Sequence, residues 1–232
     1  MIWAVLTYGD LVDPHFLSSP TKVLQAMISL FRDDRFLEDV YVSMLRIAIG
    51  FTVSAMVAIP FGIAISCFKS VEALFSPMLS FIRYLPVPAL LPLCILWFGV
   101  GETEKIVVIF IGVFFQLVFM ISDVVDNVPD EFLAISYTLG AKTRAAIFKV
   151  ILPCSAPDIW DSLRIAMGWA WGWVMLAELV GANRGIGFMI VKSQRYLLNA
   201  NIIVGLLLLG VLGILTDLMF RLSSRVLFRW KY

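Results

Sequence analysis

Long runs of apolar residues divide this chain of 232 residues. A helix needs about 20 apolar residues to cross a bilayer, because in hydrocarbon its backbone polar groups can pair only within the helix. Five runs meet or approach that length, and the sequence therefore predicts five membrane-spanning helices. They are Tyr41–Phe68, Leu74–Gly101, Ile106–Ser122, Ile159–Val180 (the last end approximate) and Tyr196–Thr216.

Two of the five runs are interrupted. The second contains Arg83 and then "YLPVPALLPL", whose prolines remove helix hydrogen bonds and kink or break the helix. The fourth carries Asp161, Arg164 and Glu178, and ionisable groups inside a membrane are expensive and often functional. Asp161 and Arg164 are three residues apart, which predicts a local ion pair. Arg83 and Glu178 are therefore the stronger candidates for a function inside the membrane.

Residues 1–39 follow a different pattern. The stretch "DPHFLSSPTKVLQAMISLF" predicts a turn and then a short amphipathic helix that starts near Ser19–Pro20, with proline in its first turn. Lysine and arginine are densest in residues 123–158 and in the C-terminal tail, which predicts that both face the cytoplasm. With five spans, residues 1–39 then form an extracytoplasmic segment, and residues 40–232 form the transmembrane domain.

Composition favours a membrane protein over a soluble one. Hydrophobic residues make up 61% of the chain, charged residues make up 15%, and the mean hydropathy is +0.94. Soluble domains are about a quarter charged. The predicted fold class is all-α, a polytopic helical membrane protein. The net charge of +1 gives no reason to expect a nucleic-acid partner.

The sequence contains no catalytic or metal-binding motif. HExxH, GxSxG and a Cys–His pair are absent, and "GANRGIGF" (residues 181–188) lacks the Gly-Lys-Ser/Thr that holds a nucleotide phosphate. His15 is the only histidine and cannot build a metal site alone. Cys67, Cys94 and Cys154 form no CxxC pair and are interpreted as small buried apolar residues. We expect no cofactor and no enzyme activity in this chain.

A charged segment, "FLAISYTLGAKTRAAIFKVILP" (residues 132–153), separates the third and fourth spans. A helix is expected to start at Pro129–Asp130. Apolar residues then repeat at helical spacing at Phe132, Ile135 and Leu139. Gly140 suits a sharp turn or a close approach, and a second helix is expected to end at Leu152–Pro153. Two interpretations are open: an amphipathic loop on the bilayer surface, or a rigid knob that contacts another subunit.

Part of this segment, "YTLGAKTRAAIFKVILP", resembles the cytoplasmic EAA motif of ABC importer permeases, in which nine residues separate a glycine from a hydrophobic-x-Leu-Pro sequence. Gly140, Val150, Leu152 and Pro153 stand at that spacing. The flanking segments resemble the branch that imports nitrate, sulfonates, taurine or bicarbonate. They are "FLSSPTKVLQAM", "LPVPALLPLCILWFGVGETEKI" (residues 85–106) and "GWAWGWVMLAELVGANRGIGFMI" (residues 168–190). The resemblance covers nearly the whole chain.

This resemblance implies the type I ABC importer permease fold in a bacterial inner membrane. Two copies of the chain, as a homodimer, would enclose a translocation path, and a periplasmic or lipid-anchored solute-binding protein would deliver the solute. Separate ATPase subunits, which bind ATP and magnesium, would hold the glycine-hinged helices and drive alternating access. The positions assigned to ATPase coupling are Glu131, Ala134, Ser136, Leu139, Gly140, Ala141, Val150, Leu152 and Pro153.

Two features depart from the family pattern. The motif's acidic residue would fall at Ala134, and the nearest acid is Glu131, one turn upstream. The family's first span would precede "FLSSP", and the chain begins too late to hold it. We therefore expect either a shortened N-terminus or a permease that works with five spans.

A translocation path needs groups that face the interior of the assembly. Candidate path residues are Arg83, Pro86, Pro88, Trp169, Trp173 and Glu178. For Arg83 the alternative is a side chain that extends to the cytoplasmic interface. For Glu178 the alternative is a structural partner for the backbone or for an arginine.

The tryptophans of the fourth span have a packing alternative. Trp169 and Trp173 share a helix face, and Trp171 points almost opposite, so the three do not form one cage. Gly168 and Gly172 lie among them as a small-residue stripe that lets another helix approach closely.

We therefore expect an importer permease for a small, anionic solute such as nitrate, a sulfonate, taurine or bicarbonate. A permease for a thiamine-precursor or riboflavin-like solute is the alternative. A membrane-embedded enzyme would need converging acid, histidine or cysteine side chains. A non-transporting scaffold would not need a proline-broken span beside a hinged knob.

Overall fold

A computed structural model describes residues 3, 7–9 and 17–230, without the side chains of residues 34 and 83. The helices are α1 (Pro20–Phe31), α2 (Asp34–Cys67), α3 (Lys69–Arg83), α4 (Val87–Phe98), α5 (Glu102–Asp126), α6 (Asp130–Thr138), α7 (Thr143–Ala146), α8 (Leu152–Leu179), α9 (Ile186–Arg195) and α10 (Asn199–Leu227). A π-helical turn, Ile147–Ile151, joins α7 to α8. His15 lies outside the described residues.

Helices stand at all five predicted spans. By length and apolar composition, α2 (from Arg35), α5 and α10 are long enough to cross a membrane among the described residues. Helices α3 and α4 qualify together as one span, bent by 98° at the "YLP" break. Helix α8 has the length, with 28 residues, but carries the charges that interrupt its apolar run. The prolines therefore bend the second span, as the sequence predicts.

The N-terminal helix also lies where the sequence places it. Ser19 precedes α1 with extended backbone angles, and Pro20 is its first residue. Helix α2 then begins at Asp34, where the side chain of Asp33 accepts a hydrogen bond from the backbone N–H of Arg35 at 3.0 Å. Continuous helix therefore runs through the predicted boundary at residue 39, and the division into two domains stays a prediction.

Helices α2 and α5 pack closely because α2 presents a stripe of small residues. Gly50, Ser54, Ala58 and Gly62 recur every four residues on one face. A Cβ on Gly62 would stand 2.9 Å from the carbonyl oxygen of Val118, and one on Gly50 would stand 2.8 Å from the side chain of Ile109. Small residues let the backbones of membrane helices approach each other, and van der Waals packing then holds them together.

Helix α8 lies at the centre of the bundle, between α5 and α10. Its inner positions Ala166, Ala170 and Val174 are almost completely buried. Toward α10, the indole N–H of Trp171 donates to Thr216 Oγ1 at 3.2 Å, and that of Trp160 donates to the carbonyl of Phe220 at 3.1 Å. Polar contacts thus join α8 and α10 at two levels.

The predicted local pair within α8 is present and extends to a neighbouring helix. Arg164 Nε lies 3.7 Å from Asp161 Oδ1 and 3.7 Å from Asp217 Oδ1 on α10. Arg221 approaches the other oxygen of Asp217 at 2.7 Å. Asp161 and Arg164 of the fourth span therefore form one cluster of ion pairs with Asp217 and Arg221 of α10.

The close α2–α5 contact predicts a position-specific effect of adding one methyl group. Gly62→Ala should destabilise the protein by about 1–3 kcal/mol, because the new Cβ meets backbone that can yield only if the helices separate. Gly210→Ala is the matched control, since nothing lies within 4 Å of a Cβ there. Unfolding in detergent micelles measures both. Equal stability of the two variants would contradict the packing described here.

Candidate functional site

Gly140 ends α6 through a specific hydrogen-bond pattern. Its φ is +79°, a conformation that glycine adopts without strain. The backbone N–H of Gly140 donates to the carbonyl of Tyr137 at 2.9 Å, and the N–H of Ala141 donates to that of Ser136 at 3.0 Å. This is the Schellman arrangement of a helix C-terminus. Among the described residues, no atom of a non-neighbouring residue lies within 4 Å of a Cβ built on Gly140. Of the two predicted reasons for glycine, the structure therefore supports the sharp turn.

The segment around Gly140 presents an apolar surface to its surroundings. Leu139 is 81% exposed and Phe148 is 68% exposed. Phe132 and Ile135 are also exposed on α6. The interior side is formed by Ser136, Ala146, Ile147 and Ile151, which are buried. We call the exposed set Phe132, Ile135, Leu139 and Phe148 the knob surface. A folded unit with an open apolar face has the form of a docking surface.

The second helix of the segment does not end at Leu152–Pro153, and that prediction is wrong. Helical structure continues from Thr143 through the π-helical turn into α8. Pro153 is the second residue of α8, where the missing N–H of proline is tolerated after the wider turn. Phe148 of the knob surface therefore lies on helix that is continuous with α8, whereas Phe132, Ile135 and Leu139 are joined to that helix through the turn at residues 139–142.

Ala134 stands where the motif has an acidic residue, and the acidic residue Glu131 lies on the same exposed side of α6. Glu131 and Ala134 are both exposed on α6, one turn apart. Glu131 lies in the first turn, where a carboxylate is favourable beside the helix N-terminus. Ser136 instead points inward and donates to the carbonyl of Leu133 at 2.8 Å. Among the predicted coupling positions, Ser136 therefore supports the fold of the knob.

A cavity of about 370 Å³ lies between the bent α3–α4 pair, α5 and α8. Its walls are mostly apolar. Among the residues that line it, the sequence predicts only Trp169 and Trp173 as path residues. The lining residues are Ile82, Leu85, Val87, Leu90, Ile111, Gly112, Phe115, Gln116, Trp169 and Trp173. The amide of Gln116 and the two indoles supply polar groups. Gln116 stands out in the sequence as the uncharged amide within the apolar run of the third span.

Trp173 both packs and lines the cavity. Its five-membered ring lies over Gly112 of α5, and a Cβ there would stand 2.7 Å from three of its atoms. In the part of the chain that the structure describes, the buried Nε1 of Trp173 has no hydrogen-bond partner. Trp169 is 39% exposed on the same side, and Trp171 points toward α10, as the sequence predicts. The packing and cavity interpretations of Trp173 are therefore compatible.

The other candidate path residues are placed less directly. Pro86 is the N-cap of α4 and Pro88 is in its first turn, so both shape the break beside Leu85 and Val87. The side chain of Arg83 lies outside the described part of the structure. The prediction that it faces the path stays a prediction.

A charged network at the end of the bundle opposite the knob is centred on Arg46 of α2, which is buried together with Glu178, whereas Glu102 is largely exposed. Its guanidinium binds both carboxylate oxygens of Glu102, at 2.6 and 2.5 Å. It also donates at 2.8 Å to Glu178 Oε1 and at 2.8 Å to the carbonyl of Arg184. One side chain therefore ties α2 to α5, to α8 and to the loop before α9.

Glu178 occupies a fully satisfied structural position. Its Oε1 also accepts from Ser43 Oγ at 2.7 Å, and its Oε2 accepts from the N–H of Gly187 at 2.8 Å. Ser43 Oγ in turn accepts from the N–H of Ile186 at 2.9 Å. Glu178 is 1% exposed and does not line the cavity that contains Trp173. These contacts favour the structural alternative over a role in the path.

The sequence reasoning missed Arg46. The sequence does contain a signal for this pair. One arginine stands at the start of the first span and one glutamate stands late in the fourth, and opposite charges inside spans are expected to pair. A second buried pair lies nearby: Lys105 Nζ donates to the carbonyl of Gly101 at 2.8 Å and stands 3.4 Å from Glu104. The end opposite the knob thus contains more buried charge than the sequence pattern indicated.

The described residues contain no group of acids, cysteines and histidines that could hold a metal. Cys94 is buried as expected, Cys67 is half-buried, and Cys154 is exposed. The prediction of burial is therefore wrong for Cys154, because its position in the first turn of α8 faces outward beside the knob.

Comparison with known proteins gives consistent matches. Residues 42–229 match the family described as "Binding-protein-dependent transport system inner membrane component". The taurine transport system permease protein of Escherichia coli is 30% identical over 99% of this chain and 85% of its own length. A putative aliphatic sulfonates transport permease protein of Bacillus subtilis is 30% identical over 99% and 83%. The nitrate import permease protein of Synechocystis is 28% identical over 94% and 81%.

Solved structures show the same fold. The MetNI methionine ABC transporter, in an inward-facing conformation, superposes with a TM-score of 0.71 at 18% identity, covering 82% of this chain and 94% of the other.

The Arg46 network predicts unequal costs for removing two arginines. Arg46→Met should destabilise the protein by about 3–5 kcal/mol, because Glu178 is then buried without its cationic partner. Arg184→Gln is the control, since the Arg184–Glu38 pair is exposed and worth about 0–1 kcal/mol. Unfolding of both variants in detergent measures the difference. An Arg46→Met protein as stable as the parent would rule out a structural role for the network.

Proposed function

The chain belongs to the family of inner-membrane components of binding-protein-dependent transport systems, and we propose that it forms the translocation path for a small anionic solute. It has the type I ABC importer permease fold, and it is a permease subunit of an ABC importer and not itself an enzyme. The observation that carries the proposal is the knob surface, which is held by the Schellman turn at Gly140 and joined to the central helix α8 through the helical stretch that begins at Thr143.

The knob surface is where an ATPase subunit would bind. Its four exposed apolar side chains, with the exposed charges of Lys142, Arg144 and Lys149 beside them, supply both buried area and a polar rim. ATP and magnesium bind to the ATPase, and closure of two ATPases moves the knobs. Because helical structure leads from the knob into α8, that motion reaches the membrane interior directly. Val150, Leu152 and Pro153 lie at this junction.

A second copy of the chain would complete the path. Helix α8 is buried except for one stripe, which contains Ile165, Gly168, Trp169 and Gly172. In the described chain nothing lies within 4 Å of a Cβ on either glycine. A small-residue stripe left open on a central membrane helix fits a helix of another subunit. The cavity with Trp169 and Trp173 opens beside this stripe, so a homodimer would place two such cavities near its axis.

The proposed solute is a small anion. The relatives are named for taurine, aliphatic sulfonates and nitrate, which share a small negatively charged group whose oxygens accept hydrogen bonds. The amide of Gln116 and the indole of Trp169, which line the cavity, carry hydrogen-bond donors suited to an anion's oxygens, whereas the N–H of Trp173 is buried in this conformation. A solute-binding protein on the outer side selects the solute, and the permease needs to hold it only weakly as it passes. Alternating access then moves the solute inward.

Gly140 provides the test of coupling. Gly140→Val should uncouple ATP hydrolysis from uptake, because a β-branched residue at a φ of +79° is strained by about 1–2 kcal/mol and the α6–α7 turn must change. The measurement is ATP hydrolysed per molecule of taurine or nitrate taken up by proteoliposomes that contain this chain, its ATPase and its solute-binding protein. Gly210→Val is the control, at a helix position with open space.

Uptake at the parental ratio in Gly140→Val would argue strongly against the docking role. Absence of ATP-dependent uptake of every anion tested by the parent complex would refute the proposed cargo class.

The proposed homodimer is tested by cross-linking. In a chain with Cys67→Ala, Cys94→Ala and Cys154→Ala, a Gly172→Cys substitution should give a disulfide-linked dimer on mild oxidation in membranes. A disulfide needs Cα atoms within about 7 Å, a distance that only a close helix crossing provides. Gly210→Cys, on the lipid-facing helix α10, should stay monomeric. Equal cross-linking at both positions would indicate random collision and remove the support for this interface.

A further inference from the structure

Helix α10 is longer than the hydrocarbon core. Its 29 residues span about 43 Å, whereas the core is about 30 Å thick and the headgroup layers add about 5–7 Å on each side. If α10 enters the core at its first residue, Leu218 lies at the opposite boundary. Arg221 then lies about 5 Å beyond that boundary and Arg225 about 11 Å beyond it. Both arginines therefore stand at the depth of lipid headgroups and of the surface just outside them.

These arginines continue the lipid-facing side of α10. Ile214, Leu218, Arg221 and Arg225 are spaced by four, three and four residues, which places them on one helix face. Ile214 is 63% exposed and Leu218 is 45% exposed, and only 11% of the apolar window of α10 is buried. A face that meets acyl chains thus becomes cationic where the headgroups begin.

Aromatic side chains fix the position of this end. Phe228 packs edge-on against Trp160 of α8, with ring centroids 6.3 Å apart, and against Trp230 at 5.4 Å. Trp230 is 68% exposed beside the base of the knob, which locates this end of α10 on the same side as α6. Tryptophan is enriched at membrane–water interfaces, where its ring meets both phases.

The positive charge on this face is only partly neutralised. Asp217 contacts Arg221 at 2.7 Å and Arg164 at 3.7 Å, but the Arg221 side chain remains 60% exposed. Within the described residues Arg225 and Arg229 have no ion-pair partner, and both are exposed. Arginine presents a planar set of donors that matches a phosphate group.

We propose that Arg221 and Arg225, with Arg229 beside them, bind the headgroup of an anionic phospholipid at the end of α10 that adjoins the knob. The lipid's acyl chains lie along Ile214 and Leu218, and its phosphate lies against the guanidinium groups. A protein partner fits this face less well, because it would have to displace acyl chains from the apolar part of the same stripe. The site does not depend on the identity of the cargo.

The test measures lipid affinity of the chain purified with its ATPase. The complex is delipidated in neutral detergent and titrated with phosphatidylglycerol or phosphatidylcholine, and bound lipid is counted by native mass spectrometry. Arg221→Gln with Arg225→Gln should weaken phosphatidylglycerol binding by roughly fivefold per arginine, from about 1 kcal/mol for each basic residue near an anionic surface. Phosphatidylcholine binding should not change.

Two further variants separate the outcomes. Arg221→Lys with Arg225→Lys keeps the charge and should retain most of the affinity even if the glutamine variant folds poorly. Lys69→Gln removes an exposed positive charge at the start of α3, outside both the knob and the α10 stripe, and should not affect lipid binding. Equal affinity of the parent for both lipids would overturn the proposal. So would a glutamine variant that keeps its lipid but loses the ATPase.

Discussion

The guanidinium of Arg46 is the group on which the half of this protein opposite the knob depends. It joins Glu102, Glu178 and the carbonyl of Arg184, so α2, α5, α8 and the loop before α9 meet at one charge. Burying ions costs several kcal/mol unless each partner is fully hydrogen-bonded, and here Ser43 and the N–H of Gly187 complete the shell of Glu178. The network therefore adds little net stability but fixes one arrangement of four segments, since any other arrangement leaves a buried charge unpaired.

Helix α8 connects that network to the opposite end of the molecule. It ends at Leu179, one residue after Glu178, and it starts immediately after the π-helical turn that follows the knob. Its 28 residues form a rod of about 42 Å with no break at Pro157. A displacement of residues 143–151 would therefore be passed to α8 through continuous helix. The cavity wall at Trp169 and Trp173 lies along this rod, so the proposed cargo contacts would stand on the element that the proposed ATPase contact moves.

The sequence predicted the features that depend on local chemistry. The helices at the five predicted spans, the proline bend, the turn at Gly140 and the Asp161–Arg164 pair each follow from residues close together in the chain. What it could not predict depends on which helices become neighbours. Arg46 and Glu178 are far apart in sequence, and the stripe of Gly50 and Gly62 has meaning only against α5. The continuous helix across Pro153 was missed because a π-helical turn has no sequence signature strong enough to outweigh proline.

The unpartnered indole N–H of Trp173 fits a path that must not hold its cargo tightly. A buried donor without an acceptor costs about 1–3 kcal/mol, and folding tolerates it here because Gly112 lets the ring pack flat on α5. Because this N–H is buried here, a passing anion would recover part of that cost only in a conformation that exposes it. One or two neutral hydrogen bonds are too weak to trap a solute, whereas a buried arginine at the same place would bind it firmly and slow release. Selection by a separate binding protein then leaves the permease free to supply a path with mostly apolar walls.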